Sequence, residues 1–142
     1  MKRPEIKTMQ NLESAFAGES MAHIKYRYFA KLARAAGDID TARVFEATAE
    51  QEVAHAFGHL DLLYPAAAMT PAQCLQMAID GETYEYTEMY PSFRRTAEAE
   101  GERAAVAEID AQIAESREHA AQFQATLKIA QRRFAALAKV EE

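Results

Sequence analysis

Apolar side chains recur every three or four residues along most of the chain, and the breaks in that rhythm define four helical runs. The first runs from about residue 5 to 36. Its inward slots read Met9, Leu12, Phe16, Glu19, Ala22 or His23, Tyr26, Phe29 or Ala30, and Ala33, and Pro4 sits where a first turn tolerates proline. Gly37-Asp38 is a stop followed by a candidate N-cap, and a second run spans about 39–64 with Phe45, Thr48, Glu52, His55, His59 and Leu62 or Leu63 inward. Pro65 and Pro71 bracket a linker in which Thr70 is placed to cap the third run, about 71–100. That run turns inward Leu75, Ala78, Glu82, Glu85, Met89 and Ser92 or Phe93, and Pro91 is expected to kink it. Gly101 ends it. The fourth run, about 102–139, has the clearest stripe: Val106, Ile109, Ile113, Ser116, Ala120, Phe123, Leu127, Ala130, Phe134 and Leu137.

Four such runs predict an all-α four-helix bundle in one domain over residues 1–142. The tight joints at 37–38 and 101 make it two antiparallel hairpins. The segment between the prolines is short for a crossover along a bundle. Either it is extended, or the hairpins are exchanged between the chains of a swapped homodimer.

Composition agrees with helix. Gly (5) and Pro (4) are few in 142 residues, and 49% of positions are hydrophobic. The net charge of −6 argues against a nucleic-acid binder, and Lys128, Arg132 and Arg133 read as a solvated helix end. Cys74 stands alone, so an intrachain disulfide, a four-cysteine zinc site and a Cys-x-x-Cys pair are all excluded. No apolar run is long enough to span a membrane and no signal peptide is evident, so a cytoplasmic protein is expected.

The polar residues in inward slots change the picture. Glu52 and His55 form a Glu-x-x-His pair, which shares one helix face. Glu19 lies on the first run, Glu82 and Glu85 on the third, and Glu115 and His119 on the fourth. Five carboxylates and two imidazoles at similar heights would repel and lose hydration unless something offset the cost. Two metal ions would do so, and oxygen donors with one imidazole per metal suit iron, with manganese the alternative. Ala15-Phe16-Ala17-Gly18-Glu19-Ser20 is echoed 63 residues later by Ala78-Ile79-Asp80-Gly81-Glu82-Thr83, and the same offset takes Glu52 to Glu115. It takes His55 to Glu118, however, and not to His119. Glu115 and His119 are four apart, so Glu118 is a substitute ligand and a local π-bulge in the fourth run would retune the register.

With these residues in view the chain resembles the ferritin-like di-iron domain of rubrerythrins. The resemblance rests on Ala15–Ser20, on Tyr26 with Tyr28-Phe29, on Thr48–Glu52 with His55, and on the run Glu85–Phe93. It implies two iron ions bridged by Glu52 and Glu115, with Glu19, Glu82, His55 and His119 as terminal ligands. It also implies that Glu85 trades with His55 at one iron in a redox-dependent way, and that Tyr26 and Tyr90 hydrogen-bond the ligand shell. The activity implied is reduction of hydrogen peroxide in oxidative-stress defence. Many rubrerythrins add a four-cysteine rubredoxin domain. These residues hold one cysteine, so the electrons would come from an external donor such as a rubredoxin-like protein.

Other readings compete. A ferroxidase or iron-handling protein would use the same ligands, and a metal-free helical interaction module would need none of them. His23 and His59 read as hydrogen-bonded structural histidines, Tyr84 and Tyr86 as packing residues, and Glu50 and Glu118 as exposed.

Overall fold

The computed structural model describes residues 5–140, with side chains through Leu137, so the expectation at Pro4 lies outside the described residues. Every regular element among them is helical: α1 (Thr8–Ala35), α2 (Ile39–Leu63), a short 3-10 turn (Ala66–Ala68), α3 (Pro71–Tyr84), a π-helical turn (Glu85–Met89), α4 (Tyr90–Ala99) and α5 (Arg103–Val140). They form two compact units, residues 1–68 and 69–142. In the first, α1 packs along α2. In the second, α3, the π turn and α4 form one helical run that packs along α5. The expected antiparallel hairpins are therefore present. α1 begins at Thr8 rather than near residue 5, and no side chain caps it.

Both hairpins close through the same device. Gly37 and Gly101 adopt φ of 82° and 74°, a region that side-chain-bearing residues enter at a cost. Asp38 caps α2, accepting from the Thr41 amide at 3.0 Å and the Thr41 hydroxyl at 2.7 Å; these bonds hold its carboxyl below the usual range. Each turn is flanked by an ion pair across the hairpin: Arg34 with Glu46 at 2.7 Å, and Arg94 with Asp110 at 2.5 Å. Both pairs are solvent-exposed, so they set register more than they stabilise. Thr70 caps α3 in a reciprocal capping box with Gln73, with Pro71 in the first turn.

The seams are narrow. In α2 the buried positions are Ala42, Ala49 and Ala56, one every seven residues, and Ala30 meets them from α1. Beside the seam Phe45 packs against Tyr26 at a tilt and against Phe29 edge-on, with ring centroids 5.7 and 5.5 Å apart. The second seam buries Ile79, Ala97, Ala120 and one polar residue, Ser116. The alanine-rich stretches thus set how closely the helices approach, which is more than filling out helix. Phe29, Phe93, Phe134 and Leu137, expected inward, are exposed in the described structure.

The third run departs from its expected form at a definite place. A π turn, in which the Tyr90 amide donates to the Glu85 carbonyl five residues back, directly precedes the Pro91 region. Pro91 has no N–H to give the Thr87 carbonyl, and its ring crowds that carbonyl. Widening the turn relieves both problems. The Thr87 hydroxyl, bonded to the Thr83 carbonyl at 2.6 Å, competes for the acceptor its own amide would use in an α-helix.

The π turn adds one residue to the second hairpin, and the internal repeat records it. Gly18 and Glu19 match Gly81 and Glu82 at an offset of 63. Beyond the π turn the offset is 64: Tyr26 matches Tyr90, Phe29 matches Phe93, Gly37 matches Gly101, His55 matches His119 and Ala56 matches Ala120. Carrying the offset of 63 past residue 85 is what placed Glu118 opposite His55. The π turn lies in the third run, and α5 is α-helical over Arg103–Val140.

Gly37→Ala and Gly101→Ala should each destabilise the metal-free protein by ~1–2 kcal/mol, the cost of a side chain in the left-handed region. Neither added methyl would meet an atom within 4 Å, so the loss is backbone strain alone. Thermal unfolding followed by circular dichroism measures it, and an unchanged midpoint would overturn this account of the turns.

Candidate metal centre

In the first hairpin, α1 supplies Glu19 and α2 supplies Glu52, His55 and His59 on successive turns. Glu19, Glu52 and His55 each present one ligand atom within 4.8 Å of the others. His55 Nδ1 lies 3.5 Å from Glu19 Oε1 and 3.7 Å from Glu52 Oε2. These are separations at which donors face a common point without bonding one another well. Ala49 and Ala56 occupy the seam, so His55 stands beside it with 57% of its side chain exposed, while Glu52 is mostly covered at 16%.

The second hairpin repeats half of this arrangement. Glu82 Oε1 from α3 lies 3.4 Å from His119 Nδ1 on α5. His119, like His55, stands outside the seam, as does Glu115, which is exposed. Glu115 has no hydrogen bond or ion pair among the described residues. Glu85, the first residue of the π turn, has a different partner: the Ser116 hydroxyl donates to its Oε2 at 3.3 Å. Glu118 and Glu50 are exposed, as expected.

Whether a metal fits can be judged from the oxygens. Glu19 Oε2 and Glu82 Oε2 are buried and have no hydrogen-bond partner among the described residues. His59 Nε2 comes within 2.7 Å of Glu19 Oε2, an ion-pair distance, although the oxygen has no hydrogen-bond partner among the described residues. A buried carboxylate oxygen without a donor is costly. Two such oxygens, at matching positions of the two hairpins and each beside an imidazole, suit a cation. Carboxylate and imidazole donors together suit iron or manganese, and Glu19, Glu52 and His55 in one hairpin and Glu82 and His119 in the other would hold it.

Among the described residues both expected tyrosines pack against aromatic rings. Tyr26 packs on Phe45, and the Tyr90 ring sits edge-on to Phe93 with centroids 6.3 Å apart. No hydrogen bond involves either hydroxyl among the described residues. Burial, with the nearby Glu85, Glu82 and Glu108 charges, raises the Tyr90 phenol above its usual range and keeps it protonated. Tyr86 lies under the Arg117 guanidinium, 5.5 Å from its ring centre. His23 Nδ1 bonds the Ala49 carbonyl at 2.7 Å, the structural role expected of it. Sequence reasoning missed the closeness of His59 to Glu19. The signal was present, since His59 is four residues beyond His55 and seven beyond Glu52 on one face. It also took Ser116 for a seam residue only.

Glu52→Ala should abolish cooperative loading of metal, whereas Glu118→Ala should leave it within about twofold of the parent, as expected for an exposed side chain. Metal analysis after anaerobic iron loading reads both. Loss of one ion in Glu118→Ala, with none lost in His119→Ala, would reverse the α5 assignment.

A family model described as Rubrerythrin matches residues 10–127. Rubrerythrin-1 of Clostridium acetobutylicum is 34% identical over 137 residues, covering 86% of this chain and 70% of that protein. Nigerythrin of Nitratidesulfovibrio vulgaris is 40% identical over 111 residues, covering 70% of this chain and 55% of that one. The chain thus spans little more than half the length of some of its relatives. A solved structure of fully reduced, all-ferrous nigerythrin covers 92% of this chain and 70% of its own, at 34% identity and a TM-score of 0.45. With the family model spanning most of the chain, and with paired carboxylates and imidazoles on both hairpins, this protein belongs to the rubrerythrin family of di-iron proteins.

Proposed function

We propose that the protein is a non-haem di-iron peroxidase that reduces hydrogen peroxide to water with electrons from an external redox protein. The observation that carries the reading is the matched pair of half-sites, Glu19 with His55 and Glu82 with His119, each with a buried carboxylate oxygen lacking a donor. Two bound ferrous ions would supply two electrons and the Lewis acidity to cleave the O–O bond. In this reading Glu52 and Glu115 would be shared between the ions, and Glu19, Glu82, His55 and His119 would complete the donor set. Glu85 is a carboxylate beyond that set, which would trade with His55 as the charge of the centre changes. The Tyr90 hydroxyl, kept protonated by its surroundings, serves with Tyr26 as a hydrogen-bond donor to the ligand carboxylates. Conversion of peroxide to two waters consumes two electrons and two protons. The single Cys74 rules out a four-thiolate iron centre within these residues, so the electrons come from outside them. Among the described residues no helix is long and apolar enough to cross a membrane, and we place the protein in the cytoplasm as an oxidative-stress enzyme.

The same reading includes a swapped homodimer. Ferritin-like connectivity needs one connection running the length of the bundle. α2, with 25 residues, is ~37 Å long at 1.5 Å per residue. Residues 64–70 contain a 3-10 turn and reach only ~20 Å, at ~3.5 Å per extended residue and ~2 Å in the turn. A second copy can offer its complementary hairpin without that crossover, so each site would draw ligands from both chains.

Two experiments test these proposals. In anaerobic stopped-flow mixing, the iron-loaded, reduced protein should oxidise at least ~10-fold faster with hydrogen peroxide than with O2. Faster reaction with O2, accompanied by ferric mineral, would support the ferroxidase reading instead. For the dimer, Glu52→Ala and Glu115→Ala chains, each inactive alone, should regain up to a quarter of parental peroxidase activity after being unfolded and refolded together. In a swapped heterodimer one site inherits both defects and the other inherits none. No recovery from the mixture would exclude exchange of hairpins.

A further inference from the structure

We propose that Ser116 is a positioning residue that holds the Glu85 carboxylate away from the metal, and so sets how readily Glu85 becomes a ligand. The proposal rests on the reading of Glu85 as a redox-dependent ligand and adds to it the group that competes for Glu85.

Three observations carry it. Ser116 is the buried polar residue of the core, 4% exposed, in the seam where its neighbour one turn on is Ala120. Four threonine hydroxyls elsewhere in the helices turn back on their own helix. Those of Thr48, Thr87, Thr96 and Thr126 each donate to the carbonyl four residues earlier. The Ser116 hydroxyl instead crosses the hairpin to Glu85 Oε2. Finally, the residue added by the π turn gives Ser116 a particular place in the repeat. At the offset of 64 that pairs His55 with His119 and Ala56 with Ala120, the residue paired with Glu52 is Ser116. Where the first hairpin carries a carboxylate on its own helix, the second carries a hydroxyl that receives the carboxylate of Glu85 from the facing run.

The direction of the effect follows from position. Ser116 lies in the seam, while Glu115 and His119 flank it on the exposed face of α5. One oxygen of Glu85, bonded to Ser116, is thus committed to a hydroxyl in the seam rather than to the face that carries Glu115 and His119. The hydrogen bond stabilises Glu85 off the metal and opposes its binding as an anionic ligand. A more highly charged metal gains more from that ligand, so Ser116 favours the reduced centre. Removing the hydroxyl should release Glu85 and favour the oxidised one.

The test is the midpoint potential of the iron-loaded full-length protein, measured spectroelectrochemically for the parent, Ser116→Ala, Glu85→Gln and the double variant. Alanine is close in size to serine and the better helix former, so the metal-free variant should fold with an unchanged or higher unfolding midpoint. Ser116→Ala should lower the potential by ~30–60 mV, a three- to tenfold bias towards the oxidised centre at 59 mV per tenfold for one electron. Glu85→Gln should raise the potential, and adding Ser116→Ala to it should change nothing further. If Glu85→Gln shifts the potential while Ser116→Ala leaves it unmoved, Ser116 has no such role and the ligand reading of Glu85 survives. An equal shift on adding Ser116→Ala in both backgrounds would mark a general structural effect and overturn the proposal. If Glu85→Gln itself has no effect, the ligand reading and the proposal fall together.

Discussion

Both hairpins bury a carboxylate oxygen that has no hydrogen-bond partner among the described residues. Glu19 Oε2 and Glu82 Oε2 occupy the same place in the repeat, each beside an imidazole from the facing helix. Such an oxygen lowers stability unless a cation meets it. The rest of the local structure holds the groups there. Alanines at every seventh position of α2 bring the helices close, and glycines at positive φ reverse the chain tightly. Cross-hairpin arginine–carboxylate pairs beside each turn set the register that puts Glu19 level with His55 and Glu82 level with His119.

The second consequence is an economy of seam space. An alanine seam is too narrow to take an imidazole, so His55 and His119 stand beside it, with 57% and 53% of their side chains exposed. A metal-binding histidine needs such a position, because its ring nitrogen must face away from the apolar contact. Ser116 is the exception that fits, since a hydroxyl is small enough for the seam and its hydrogen bond to Glu85 satisfies it there.

The π turn ties these features together. One added residue lets a helix containing Pro91 continue, brings Glu85 opposite Ser116, and shifts everything beyond it by one position relative to the first hairpin. The spacing within α5 is a separate matter: the second histidine lies four residues after Glu115, whereas the first lies three after Glu52. Once the added residue is counted, His119 is the counterpart of His55. It is Glu115, displaced by Ser116, that stands out of register.

Much of this was legible from the amino-acid order, because helical periodicity, glycine stops and Glu-x-x-His spacing are local properties of the chain. The four runs, the two hairpins and the residues Glu19, Glu52, His55 and Glu82 follow from 3.6-residue geometry and from the cost of placing charge at inward positions. The π turn did not, because it depends on competition among the Thr87 hydroxyl, the missing Pro91 amide and the packing of α5, which no periodic template contains. Nor did the pairing of Ser116 with Glu85 or the approach of His59 to Glu19. Both depend on the distance between facing helices, and side chains far apart in sequence acquire that distance only when the alanine seams close.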